Sequence, residues 1–324
     1  IKNLGVKKIF KIGVDYIFSQ LFPIKNEKNL EEFFINRFGK ELYETFFKDY
    51  TEKVWGIDCK NISKDWGAQR VKGLSLSKTV LHAIVSLFKK KKDIYQKDVE
   101  TTLIERFLYP KYGPGHFWEK MAKEIENQGG KVLLNKKVTG IEVKNKRIIS
   151  IFVEDTITHK LETYSGDVVF SSMPIKDLAF CMKDSIDKDV FDTAEKLKYR
   201  DFITAGLLLR KLKIKNETKI PTINNIIPDN WIYIQEKEVK AGRLQVFNNW
   251  SPYMVSDLNK VWIGVEYFCN EGDDFWNMSD KDILKVAIEE LEKIGIIDRE
   301  DVEDGVVLRL LKAYPVYFGD YKSE

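Results

Sequence analysis

The stretch Tyr50-Thr51-Glu52-Lys53-Val54-Trp55-Gly56, followed shortly by Asp65-Trp66-Gly67-Ala68-Gln69-Arg70, decides how the rest of the chain is read. It packs two indoles, two glycines and an arginine into a loop-then-helix context. A core alone does not call for that mixture, whereas tryptophan with arginine suits a polar, aromatic ligand. Ser63 predicts a helix start, and Trp66 and Arg70, four apart, then share one helix face.

Working outward, the first part of the chain is mostly helical. Asn29 followed by Glu32 is an N-cap with glutamate at the third helical position, and Gly39 is the matching stop. Residues Lys40 to Lys48 carry Leu42, Phe46 and Phe47 at helical spacing. Thr79 to Phe88 continues the pattern, and the lysines Lys89 to Lys92 that follow suit a solvated helix end. Gly113-Pro114-Gly115-His116-Phe117-Trp118 opens a helix that runs to Asn127.

After Gly129-Gly130 the apolar period changes to two. Strands are expected at Lys131–Leu134, Val138–Val143, Ile148–Val153 and Val168–Phe170, with Asn145-Lys146-Arg147 as a hairpin turn. Two short helical stretches follow between Ile175 and Leu197. Further strands are expected at Phe202–Leu209, Trp231–Ile234, Arg243–Phe247, Val261–Phe268 and Val306–Leu311. Ser279 caps a helix from Asp280 to Ile294. Strands and helices in mixed order, without strict alternation, imply an α/β class of α+β composite design.

The 324 residues suffice for one large or two smaller domains, each with its own core. Lys+Arg 53 against Asp+Glu 50 leaves +3, too balanced for a nucleic-acid binder. Cys59, Cys181 and Cys269 lie far apart with no paired spacing, as expected of reduced thiols in a cytoplasmic protein. His82, His116 and His159 match no ligand spacing, so no metal is expected. No apolar run has the length of a membrane span, and no signal peptide is expected. The chain opens at Ile1 inside an amphipathic run and closes on Tyr321-Lys322-Ser323-Glu324, which suggests an internal segment of a longer protein.

Tyr50–Gly56 closely resembles the YTxKxWG segment of the FAD-dependent amine-oxidase and protoporphyrinogen-oxidase-like superfamily, including the UDP-galactopyranose mutases. Tyr199-Arg200-Asp201-Phe202 and Glu266-Tyr267-Phe268-Cys269-Asn270-Glu271-Gly272 look closer to bacterial FAD-dependent oxidoreductase-like proteins than to the mutases themselves. Two departures point the same way: Asn248 stands where the mutase pattern has an acid, and Val54 replaces a polar residue beside the tryptophan.

The resemblance covers nearly the whole chain and implies FAD as cofactor. It implies a partial FAD-binding domain of the glutathione-reductase-2-like kind over residues 109–174. A helical part (1–108) and an antiparallel-sheet part (175–324) would form the substrate domain. Gly113, Gly115, Val138, Ser172, Met173 and Pro174 would meet the cofactor. Trp55, Arg70, Trp118 and Arg243 would meet the substrate, the arginines forking onto a diphosphate. The implied function is a flavin-dependent oxidoreductase acting on a nucleotide-sugar or related small molecule in cell-surface polysaccharide biosynthesis. The alternatives are a mutase-type isomerase using reduced FAD and a non-catalytic sugar-nucleotide-binding scaffold. No GxGxxG follows a strand, so the segment alone is expected to be inactive and to hold FAD poorly. No nucleophile or acid–base constellation is legible, in keeping with chemistry carried by a cofactor.

Overall fold

Helix starts follow their capping residues. In the computed structural model, which describes residues 4–70 and 107–316, the Asn29 side chain accepts from the Glu32 N–H at 3.0 Å and opens α2 (Leu30–Phe38). Gly39 ends it and leads into α3 (Lys40–Phe46), α4 (Lys48–Trp55) and α5 (Lys64–Arg70). Before them runs α1 (Val6–Leu21). The side chains of residues 69 and 70 are not described, and the helix expected at 79–88 with its lysine run lies outside the described residues.

Of the described residues, 4–70, 107–114 and 200–316 build one compact unit, and 115–199 build a second. In the first unit, a five-stranded sheet has the order β5-β6-β7-β4-β8. Its strands are β4 (Tyr199–Leu209), β5 (Trp231–Tyr233), β6 (Arg243–Val246), β7 (Val261–Cys269) and β8 (Val302–Pro315). The pairs β4·β7, β5·β6 and β6·β7 are antiparallel, as the alternating apolar residues predict, although the connections are longer than hairpin loops.

One face of this sheet is core. Ile203, Leu207, Leu244, Val246, Ile263 and Val265 are fully buried there against Ile283, Ala287 and Leu291. These last three belong to α9 (Asp280–Lys293), which Ser279 caps by accepting from the Asp282 N–H at 3.2 Å. A second core joins α2 to α5: Leu30, Phe33, Phe34, Phe38, Tyr43, Trp55, Cys59 and Ile62, with Phe268 and Tyr314 of the sheet packed against it.

The second unit contains α6 (Pro114–Asn127), which starts at its junction with the first, and a three-stranded antiparallel meander of β1 (Lys136–Lys144), β2 (Arg147–Asp155) and β3 (Leu161–Tyr164). Helices α7 (Ile175–Cys181) and α8 (Lys188–Lys196) complete it. Asn145 and Lys146 both have positive φ, 50° and 60°, the geometry of a tight primed hairpin turn. Two expected strands are not formed: residues 131–134 and 168–170 are irregular. An extended apolar run becomes a strand only beside another strand that takes its backbone hydrogen bonds, and neither run has one. Conversely β3, too polar to stand out in sequence, forms because β2 offers it an edge.

Candidate functional site

The outward face of β6 and β7 concentrates the polar chemistry of the first unit. Strand alternation sends Leu244 and Val246 into the core and leaves Arg243 and Gln245 on the other side. Register places Arg243 opposite Glu266 on β7. Arg243 Nε donates to Glu266 Oε2 at 2.7 Å, and Nη2 donates to the same oxygen. Gln245 Nε2 donates to Oε1 at 2.6 Å, so both oxygens of a carboxylate only 2% exposed are engaged. Arg243 Nη2 also donates to the Tyr314 hydroxyl at 3.0 Å.

Aromatic rings wall the guanidinium. Its carbon lies 4.7 Å from the Trp231 centroid and 5.0 Å from that of Phe268, within cation–π range. Trp231 and Tyr233 stand 6.5 Å apart and nearly parallel at 13°, and Tyr50 of α4 meets Tyr233 edge-on at 4.6 Å. Burial lowers the Arg243 proton affinity, but Tyr50, Glu266 and Tyr314 outweigh it and hold the group firmly protonated. Burial likewise pushes the Tyr50 phenol above its usual range, with Arg243 pulling the other way. The result is a cation fixed in place, its charge balanced by a buried acid, at the base of an aromatic surface.

The Tyr50–Gly56 segment serves this face from behind. Lys53 Nζ donates to the carbonyls of Ile234, Glu236 and Ala241 at 3.2, 2.7 and 3.0 Å, tying α4 to the turn between β5 and β6. Trp55, 4% exposed, lies in the helical core edge-on to Trp66 at 5.7 Å and 88°. Gly56 ends α4 in the left-handed region (φ 69°), and a Cβ there would stand 3.0 Å from the Arg200 guanidinium. Arg200 Nε donates to the Val54 carbonyl at 2.8 Å and Nη2 to the Phe268 carbonyl at 3.0 Å. Asp201 accepts from the Glu271 N–H at 2.7 Å. The motif residues with the strongest family resemblance thus weld the helices to the sheet, and Tyr50 is the one that reaches the Arg243 face. Asn248 is buried and bridges β6 to β7, donating to the Lys260 carbonyl at 2.8 Å and accepting from the Trp262 N–H at 3.0 Å.

Sequence reasoning named Arg243 but not its partners Tyr50, Trp231, Tyr233, Gln245, Glu266 and Tyr314. Alternation along β6 was the signal for Gln245; the others depend on register and on helix docking, which no local pattern encodes. Arg70 ends α5.

In the second unit, Val138 sits in β1, and its carbonyl faces Cys181 Sγ at 3.6 Å. The run 165–173 has no regular structure; Ser171 Oγ accepts from the Met173 N–H at 3.4 Å, and Pro174 precedes α7. Val168, Val169 and Phe170 are exposed, Phe170 at 94%, beside a cavity of about 240 Å³ also lined by Ile149, Ile151 and Tyr164. Gly115 lies in the first turn of α6, and no residue of that helix is buried, although Phe117, Trp118, Met121 and Ile125 are apolar. Gly113, in the first unit, has φ 86° beside Met254. The run 165–173 is thus an open backbone segment that ends in small residues and proline beside apolar surface.

No protein-family model matches the chain, and no curated protein matches it in sequence. Solved structures do match it in fold. Against a reduced UDP-galactopyranose mutase the TM-score is 0.70 at 17% identity, covering 98% of this chain and 62% of the mutase. A candidate protoporphyrinogen oxidase from Exiguobacterium sp. 255-15 gives 0.59 at 13% identity, covering 97% and 62%. An oxidoreductase from Methanosarcina mazei gives 0.58 at 12% identity, covering 99% and 64%. The chain therefore spans less than two thirds of the length of each. Its fold is the one it shares with these three solved structures.

Proposed function

We propose that the chain is the larger part of a flavin-dependent oxidoreductase acting on a nucleotide-sugar or related small molecule. Its second unit would contribute a flank of the FAD site, through Gly115, Val138, Ser172, Met173 and Pro174. The first unit would carry the substrate face. The observation that carries the proposal is the Arg243 face: a cation 11% exposed, oriented by Glu266 and Tyr314 and walled by Trp231, Phe268 and Tyr50. Such a face offers one phosphate or hydroxyl group the remaining Nη1 donors of a fixed guanidinium while aromatic surface meets a sugar or base. Arg70 and Trp118 are proposed as further substrate contacts, and Trp55 as support for the helix that presents Tyr50. Bound FAD would supply the redox chemistry, and the chain's own residues would orient the substrate and exclude water.

The likeness to the mutase, at a TM-score of 0.70, supports a second reading: isomerisation of a UDP-sugar with reduced FAD and no net redox change. One experiment separates the two. The FAD-loaded full-length protein is offered UDP-galactopyranose after dithionite reduction, and separately under oxidising conditions with an artificial electron acceptor. Acceptor-dependent substrate oxidation is the expected outcome; ring contraction only in the reduced enzyme supports the isomerase. UDP titration should show weaker binding in Arg243→Lys, which keeps the charge but loses the planar guanidinium that Glu266 and Tyr314 hold in place. Unaltered UDP affinity in that variant would remove Arg243 from the site.

A further inference from the structure

Strand β4 lies between β7 and β8, and the side chains at its start reach both neighbours. Asp201 is buried there, and each of its carboxylate oxygens takes a backbone N–H from a different segment. Oδ2 accepts from Glu271, just after β7, at 2.7 Å, and Oδ1 accepts from Lys312 of β8 at 2.5 Å. Bonds of this kind to an ionised acceptor are the stronger ones.

Lys312 needs such a partner. Its φ is 53°, in the left-handed region that a residue with a Cβ enters at a cost. A backbone held there persists only where its surroundings fix it, and the N–H of this same residue is the one that Asp201 takes. The exposure pattern of β8 changes at the same place. Gly305, Val307 and Arg309 are partly buried between exposed neighbours, whereas Leu310 and Leu311 are both exposed and Lys312, Ala313 and Tyr314 are all partly buried. The turn at Lys312 therefore sets the path on which Tyr314, two residues later, approaches the sheet. Phe202, the residue after Asp201, packs its ring 6.0 Å from that of Tyr314.

Tyr314 in turn fixes a degree of freedom that Glu266 leaves open. Arg243 Nε and Nη2 both donate to a single oxygen, Glu266 Oε2, so that contact is a pivot about which the guanidinium can tilt. The Tyr314 hydroxyl, 3.0 Å from Nη2, is a second anchor away from the pivot. With both anchors in place the plane of the group is set, and with it the direction of Nη1.

We propose that Asp201 is a positioning residue for the Arg243 face: its carboxylate holds the left-handed turn at Lys312, the turn places the Tyr314 hydroxyl, and the hydroxyl sets the guanidinium plane. The inference rests on the reading of this face as the one that meets the substrate. The test is calorimetric titration of UDP into the FAD-loaded full-length protein. Asp201→Asn keeps the size of the side chain but turns an amide nitrogen toward one of the two N–H groups, and it should weaken UDP binding roughly tenfold, the scale of one hydrogen bond. Tyr314→Phe should weaken it by a similar factor. Asp201→Asn/Tyr314→Phe should lose no more than either single variant, because both act through one hydroxyl. Lys312→Gly added to Asp201→Asn should restore most of the affinity, since glycine adopts the left-handed φ without the carboxylate. A carboxylate that merely stabilised the sheet would give additive losses and no rescue by glycine.

Wild-type UDP affinity in Asp201→Asn, additive losses in the double variant, or a loss that Lys312→Gly does not reduce would each overturn the inference. Wild-type affinity in Tyr314→Phe overturns it too, and decides the matter even where Asp201→Asn fails to fold. Arg243→Lys separates the two levels. Unaltered UDP affinity in that variant overturns the substrate reading of the face and this inference with it; weakened affinity there beside an unaffected Asp201→Asn overturns the role of Asp201 alone.

Discussion

Breaking the Arg243–Glu266 pair from one side should cost more stability than removing it altogether. Glu266 is 2% exposed, and its oxygens are held by Arg243 and Gln245. Arg243→Met keeps much of the apolar stem against Trp231 and Phe268 but leaves a buried carboxylate with only the Gln245 amide; the expected loss is about 3–5 kcal/mol. Glu266→Met leaves the guanidinium, itself largely buried, with neutral hydroxyls and aromatic rings and no counter-charge, and a similar loss is expected. The double variant leaves no buried charge. It should lose only ~1–3 kcal/mol, so the coupling between the sites should be at least about 3 kcal/mol. The assay is urea unfolding of the four proteins at pH 7 and fixed salt, followed by tryptophan fluorescence, with near-UV circular dichroism confirming native packing. Singles within ~0.5 kcal/mol of wild type would identify Arg243 as an ordinary surface charge. Additive losses would refute the buried-pair description.

Three further outcomes follow from local geometry. Gly56→Ala should destabilise by about 1–2 kcal/mol in the same assay, because its left-handed φ disfavours a side chain and the new Cβ would press on the Arg200 guanidinium; an unchanged midpoint would contradict this. Burial pushes the Cys59 and Cys269 thiols up to about 12, while Cys181 is only part-buried and also raised. A chromogenic disulfide at pH 8 should therefore titrate one thiol quickly and two only on unfolding, and fast reaction of all three would be inconsistent with the core at Cys59. Asp155 accepts from Lys136 Nζ at 2.9 Å and from the Ile157 and Thr158 N–H groups, which hold its carboxyl well below the usual 3.8. A depressed folded value stabilises above the unfolded one and fades as pH falls. The stability gap between wild type and Asp155→Asn should thus be constant above about pH 5 and shrink below 3.8; a gap independent of pH would exclude this role.

Much of the fold was legible because its signals are local. Asn29, Gly39 and Ser279 mark helix ends by hydrogen bonds made within a turn, and the period-two runs from Phe202 onward mark strands whose one face is core. Residues 131–134 and 168–170 misled because their pattern is strand-like while a strand also requires a neighbour. At the site, Arg243 stood out by residue type, but the function of its charge is set by Glu266 across the ladder, a pairing that depends on register. Trp55 and Lys53 illustrate the converse. Their motif is specific because packing is specific: one fills the helical core, and the other satisfies three carbonyls of a distant turn.

The proposal of a flavoprotein that needs more than residues 1–324 to hold FAD is tested most directly by one comparison of visible spectra after FAD addition and gel filtration. The full-length gene product should retain flavin absorption at about one equivalent, whereas residues 1–324 alone should emerge colourless. Tight flavin retention by this chain alone would show that nothing further is needed. A full-length protein that refuses FAD would contradict the flavin assignment itself.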